Sequence, residues 1–123
     1  MEIRIISKRV PHPEITNKVY VGHPHILANR YTHIAGIKYT VHVKTVKEAV
    51  AMYEDWLRDS IDNNVQPVIN ALDELYRMGK EKPLYLECKC KDEVTPSRRG
   101  HTCHAEVIRK ILLEQEQLDK AAS

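Results

Sequence analysis

Between residues 45 and 79 the apolar side chains recur at helical spacing twice in succession, while the segments on either side alternate as strands do. Val46, Ala49, Val50, Tyr53, Leu57 and Ile61 return every three or four residues, which is one face of an α-helix. Thr45 and Glu48 have the spacing of a capping box, in which each side chain takes an orphan amide at the helix start. Asp62-Asn63-Asn64 breaks that pattern. Val68, Ile69, Leu72, Leu75 and Tyr76 then form a second stripe, with Pro67 tolerable in the first turn and Gly79 expected as the cap at its end. Helices interleaved with strands favour a small two- or three-layer α/β fold with some parallel pairing.

The strands are read from alternation. Residues 2–9 alternate Ile3 and Ile5 and then add Ile6, and the two prolines of residues 10–13 end that run. Residues 18–21 are short and β-rich, stopped by Gly22, and a loop is expected over residues 23–36. Ile37, Tyr39, Val41 and Val43 alternate with Lys38, Thr40, His42 and Lys44, the pattern of a half-buried strand. Over residues 83–90, Leu84, Leu86, Cys88 and Cys90 share one face, and Tyr85, Glu87 and Lys89 the other. A polar loop over 91–101 leads to Thr102 as the N-cap of a last helix. Its stripe is Val107, Ile108, Ile111, Leu112 and Leu118, and residues 121–123 are expected to fray. The expectation is a single α/β domain over residues 1–123, with a three- to four-stranded mixed sheet flanked by about three helices.

Length and charge narrow the function classes. A chain of 123 residues is one domain's worth. Three cysteines cannot all pair, so a disulfide framework is not expected and a reducing cytoplasm is. The chain has no apolar run long enough for a membrane span, and residues 1–10 are too charged for a signal peptide. A net charge of +2 argues against coating of bulk nucleic acid, whose affinity rests on many phosphate contacts. The basic residues are unevenly placed: Lys89, Lys91, Arg98, Arg99, His101, Arg109 and Lys110 crowd around the cysteines.

Chemistry is therefore sought at Cys88, Cys90, Cys103 and His104. Three thiolates and an imidazole are a sensible tetrahedral zinc set, although neighbouring helix residues such as Cys103 and His104 diverge by about 100°. Cys103 near a helix start, with Arg98, Arg99 and His101 close in sequence, has the surroundings of a low-pKa nucleophile, with His101 or His104 as base. His104-Ala105-Glu106 matches the His-x-Glu of zinc deaminases, with Glu106 in the proton-handling place, but the downstream Cys-x-x-Cys that chemistry requires is missing. The remaining reading is ligand capture. If the parent strands are parallel, the loops after residues 21 and 90 share one rim, where Gly22, His23, Asn29 and Arg30 would meet Arg98, Arg99 and His101 around an anion. On that rim Cys90, Cys103 and His104 are expected to be exposed, and Cys88 to belong to the core.

Tyr20-Val-Gly-His23, Leu27-Ala-Asn29-Arg30-Tyr31, Ala49-Val-Ala-Met-Tyr53-Glu-Asp-Trp56-Leu57, Leu84-Tyr-Leu-Glu-Cys88-Lys-Cys90 and Cys103-His104-Ala105-Glu106-Val107-Ile108 together resemble the uncharacterised "domain of unknown function 4326". The resemblance covers roughly residues 18–113 and is most specific at the Cys-x-Cys strand end and the Cys-His helix start. The chain departs from the family's usual Gly-Arg at Gly22-His23 and its usual Asn-Pro at Asn29-Arg30, and residues 91–102 look like an insertion. Because that family occurs largely in phages and bacteria, the resemblance implies a phage-type or bacterial protein of the cytoplasm, the host's if phage-encoded. The function expected from the residues is binding of a nucleotide-like or other anionic small molecule at a Cys/His-lined rim. Three rivals stand beside it: a zinc-stabilised module that binds and inhibits a host protein; a cysteine- or zinc-dependent enzyme acting on a nucleotide; and, last, single-stranded nucleic-acid binding, for which the basic loop 91–101 has no aromatic to stack a base.

Overall fold

A computed structural model describes residues 1–32, 35–36, 40–89, 93 and 103–122. Five strands and three helices follow in the order β1 (Ile3–Ser7), β2 (Lys18–Tyr20), β3 (Tyr31–Thr32), β4 (Val41–His42), α1 (Val46–Asp62), α2 (Gln66–Glu81), β5 (Leu84–Cys88) and α3 (His104–Ala122). β5 lies between β1 and β2 and pairs parallel with both, while β3 and β4 form a separate parallel pair. The α/β class and the three helices are as the sequence predicts, and every pairing among the described residues is parallel.

Ile6 is fully buried on one face of the three-stranded sheet, and the opposite face carries the main core. Ile5, Leu86 and Val19 stand in register across it, with Ile3, Leu84 and Cys88 on the same side. Against that face Val50, Tyr53 and Leu57 of α1, Val68, Leu72 and Leu75 of α2, and Ala105, Ile108 and Leu112 of α3 close one core. α2 and α3 pack on β5, and α3 also packs on β1; α1 lies against the other two helices and β3. Tyr85 and Glu87, pointing the other way from β5, are half-buried. Among the described residues no helix is long and apolar enough to cross a membrane.

Local signals explain the helix starts. The Thr45 hydroxyl accepts the Glu48 amide at 3.0 Å, and the Glu48 carboxylate accepts the amide of Lys44 at 3.2 Å, a capping box displaced by one residue. Asn64 supplies a left-handed turn (φ 56°) between α1 and α2. Between helices, Arg58 of α1 grips Glu114 of α3 at 2.9 Å, and Lys110 of α3 reaches Glu54 of α1 at 3.0 Å.

The outer edge of β1 is occupied by residues from beyond β5. The Ile5 amide donates to the Glu93 carboxylate at 2.9 Å, and the Glu93 amide donates to the Ile5 carbonyl at 2.9 Å. Arg109 holds that carboxylate at 2.9 Å and also donates to the Ile3 carbonyl.

Four sequence expectations change. Gly79 does not end α2, which runs on to Glu81; a Cβ at Gly79 would collide with the Met1 thioether. Its smallness thus serves helix packing rather than a left-handed cap. The strand expected across residues 37–43 is seen as the short β4, where Val41 is 49% exposed, residues 37–39 lying outside the described residues. Tyr31 and Thr32, assigned to the loop, make β3, because the Val41 amide donates to the Arg30 carbonyl and the Val43 amide to that of Thr32. Leu118, placed in the α3 stripe, is 64% exposed, and the helix turns Glu116 inward two positions earlier. Thr102, the expected N-cap, lies outside the described residues.

These placements predict opposite costs for two leucines. Leu86→Ala, at the centre of the sheet face that carries the main core, is expected to lower unfolding stability by about 2–5 kcal/mol. Leu118→Ala is expected to change it by no more than about 0.5 kcal/mol. Urea titrations of the two variants check this, and a large loss from Leu118→Ala would contradict the exposure of that side chain.

Candidate functional site

Because β1, β5 and β2 are parallel, their carboxyl ends at Ser7, Cys88 and Tyr20 open onto one rim. The loops that follow β2 and β5 therefore start side by side, which is where open parallel sheets offer a crevice. Two buried side chains fix the first of these loops. The Tyr53 hydroxyl of α1 donates to the Leu27 carbonyl at 2.5 Å, and His104 Nε2, at the start of α3, donates to the Val21 carbonyl at 2.8 Å. The two rings meet edge to face, with centroids 5.2 Å apart.

Within that loop the backbone is held by its own side chains. The His25 amide donates to the Gly22 carbonyl, and His25 Nδ1 accepts the Leu27 amide at 3.0 Å. The Asn29 carboxamide oxygen accepts the Tyr31 amide at 2.8 Å, and so shapes the turn. His23 Nε2 donates to the Asn29 carbonyl at 3.1 Å from an exposed position. Gly22, expected to admit a ligand close to the backbone, instead makes room for the Tyr20 phenol, which occupies the place of a Cβ there. Arg30 is exposed and lies with its guanidinium 4.5 Å above the Trp56 ring. His23, Pro24, His25, Ile26, Ala28, Arg30, Thr40 and Val41 enclose a cleft of about 320 Å³.

The cysteine cluster is deeper than the sequence suggests. Cys88 is fully buried, as expected, but Cys103 is only 2% exposed and His104 only 8%, not open on the rim. The reason is that the first turn of α3 enters the core: Ala105 and Ile108 are fully buried and draw Cys103 and His104 in with them. The Cys88 and Cys103 sulfurs are 3.6 Å apart, and both thiols are free of disulfide. The Glu106 carboxylate accepts the Cys103 amide at 3.0 Å, the geometry of a helix cap.

Of the proposed zinc set, Cys88 and Cys103 come together, the Nε2 of His104 is engaged with Val21, and Cys90 lies outside the described residues. Among the described residues no group of three or more His, Cys, Asp or Glu side chains is arranged to hold a metal ion. Arg98, Arg99, His101 and Lys91 also lie outside the described residues. Two members of the expected basic cluster are neutralised locally, Arg109 by Glu93 and Lys110 by Glu54.

Trp56 was not legible as a site residue from periodicity. It follows Tyr53 by three positions and falls at the border of the α1 stripe, where an aromatic is ordinarily read as core. The only hint was its size beside the charged Glu54, Asp55 and Arg58.

Burial lowers the proton affinity of His104 below its ordinary 6.5; the bond to Val21 and the nearby Cys88 oppose this, and His23 and His25 reinforce it. Protonation therefore favours the unfolded chain. This contribution to stability is present above 6.5 and is lost as the pH falls through the depressed folded value. Burial shifts His25 in the same direction, against the attraction of Glu74. Urea midpoints measured across this range are expected to fall on acidification. His104→Gln is expected to be less stable at neutral pH and to show a shallower fall, and an unchanged slope would assign the acid loss to other groups.

A family model described as a domain of unknown function (DUF4326) matches residues 6–114. No curated protein and no solved structure matches the chain. The matched stretch takes in the rim, the His23–Arg30 cleft, both described cysteines and more than half of α3. The chain belongs to the DUF4326 family.

Proposed function

We propose that the protein binds a small nucleotide-like or other anionic molecule in the cleft between His23, His25 and Arg30. The observation that carries this reading is Arg30. Its guanidinium is exposed, lies over Trp56, and has no carboxylate partner among the described residues. Stacking on an indole face orients a guanidinium and leaves its N–H edge for a planar or tetrahedral anion. Arg58, by contrast, is held by Glu54 and Glu114, and Arg109 by Glu93.

The surroundings suit such a role. The cleft's volume of about 320 Å³ falls at the lower end of small-ligand sites. The loop that supplies most of its lining is held from beneath by the bonds from Tyr53 to Leu27 and from His104 to Val21, which lowers the ordering that binding would cost. Lys8, whose ammonium lies 4.2 Å over the Tyr20 ring, adds positive charge beyond the end of β1.

Calorimetry with nucleoside mono-, di- and triphosphates, cyclic nucleotides and inorganic phosphate tests the reading. At least one phosphate-bearing ligand is expected to bind. Arg30→Ala is expected to weaken that binding by about tenfold or more, the worth of one charge-assisted hydrogen bond, without changing the melting temperature of the free protein. Absence of heat and of thermal stabilisation across the whole panel would overturn it.

A further inference from the structure

We propose that Cys88 and Cys103 are a redox-responsive thiol pair whose oxidation to a disulfide ties the end of β5 to the start of α3. The two residues stand at the last position of β5 and immediately before α3, with fourteen residues between them in the chain. Tertiary packing nonetheless brings their sulfurs to 3.6 Å. A disulfide has its sulfurs about 2.05 Å apart, so closure asks for roughly 1.5 Å of approach, within reach of side-chain rotation. Both thiols sit in the core, where a large oxidant is excluded and a small one is favoured.

The oxidant is a small hydroperoxide, with hydrogen peroxide the simplest. Cys103, at 2% exposure the less deeply buried of the two, is the attacking sulfur. Its thiolate takes the distal oxygen, the O–O bond breaks, and hydroxide leaves and collects a proton as water. The sulfenic acid so formed is then attacked by Cys88. The S–O bond breaks as the S–S bond forms, and a second water departs with the Cys88 proton. Two thiols and one peroxide give one disulfide and two waters.

Cys103 precedes His104, which holds Val21 at the root of the rim loop. The disulfide would fix that helix start against β5 and close a loop that is open in the reduced chain, restricting the unfolded state. This inference is independent of the anion-binding reading, since it uses neither Arg30 nor the cleft.

The test uses the full chain carrying Cys90→Ser, which leaves two thiols of the original three. After treatment with hydrogen peroxide under native conditions, the thiol count in denaturant is expected to fall from two to none. The protein mass should drop by two hydrogens, a peptide joining Cys88 to Cys103 should appear, the melting temperature should rise, and dithiothreitol should reverse all of this. Peptide mapping of the oxidised wild type runs in parallel, so a Cys90→Ser chain that fails to fold does not remove the test; the same Cys88–Cys103 peptide is expected. Persistence of both thiols, sulfinic acid without a cross-link, or a wild-type cross-link that uses Cys90 would overturn the proposal. So would tightly bound stoichiometric zinc that must be removed before the thiols oxidise.

Discussion

β5 must find backbone partners on both sides, and most of the structure follows from that requirement. Its side chains Leu84, Leu86 and Cys88 are fully buried, so its amides and carbonyls cannot turn to water. β1 and β2 both answer by running parallel to it. Parallel neighbours cannot be joined by a tight turn, which is why the chain crosses through residues 8–17 between β1 and β2 and through α1 and α2 before β5. The same parallelism gathers three carboxyl ends at one rim, so that rim is a by-product of how the central strand satisfies its hydrogen bonds.

The rim loop is shaped from beneath. Tyr53 and His104 are helix residues whose polar atoms meet the loop's carbonyls inside the core, while their rings pack on each other. An unpaired carbonyl at either place would be costly in such surroundings, so loop, α1 and α3 are constrained together. Burial favours the neutral imidazole of His104, and Glu106 beside it accepts the Cys103 amide as a helix-capping carboxylate. Both residue types invite a catalytic reading from spacing alone; in the structure His104 Nε2 donates to the Val21 carbonyl, and the Glu106 carboxylate accepts the Cys103 amide and lies 3.9 Å from the Arg109 guanidinium.

The helices were legible in the sequence because their signals are local. Thr45, Asn64 and the three-to-four spacing of Val50, Tyr53 and Leu57 act within a turn or two of chain. That the loops after β2 and β5 start side by side could be reached conditionally, since it needs only the parallel sense of their strands. Burial of Cys103 and His104 could not, because it depends on how far the first turn of α3 sinks against the sheet. The Arg30–Trp56 stack joins a loop to the flank of a helix 26 residues away, and no local pattern records such a pairing. Gly79 misled for a related reason: a helix-capping glycine and a helix-packing glycine read alike until Met1 is seen against it.

Glu93 has a consequence for how copies of this chain meet. A sheet edge with free amides and carbonyls is a template on which another molecule's strand can grow. On β1 the outward groups of Ile5 are already taken by Glu93, and the outward carbonyl of Ile3 by Arg109. An incoming strand would have to strip away a charged, hydrogen-bonded pair before it gained its first backbone bond. One acidic residue and its arginine therefore act as a stopper at that border, and help keep a strand as apolar as Ile3-Arg4-Ile5-Ile6 from recruiting its own kind.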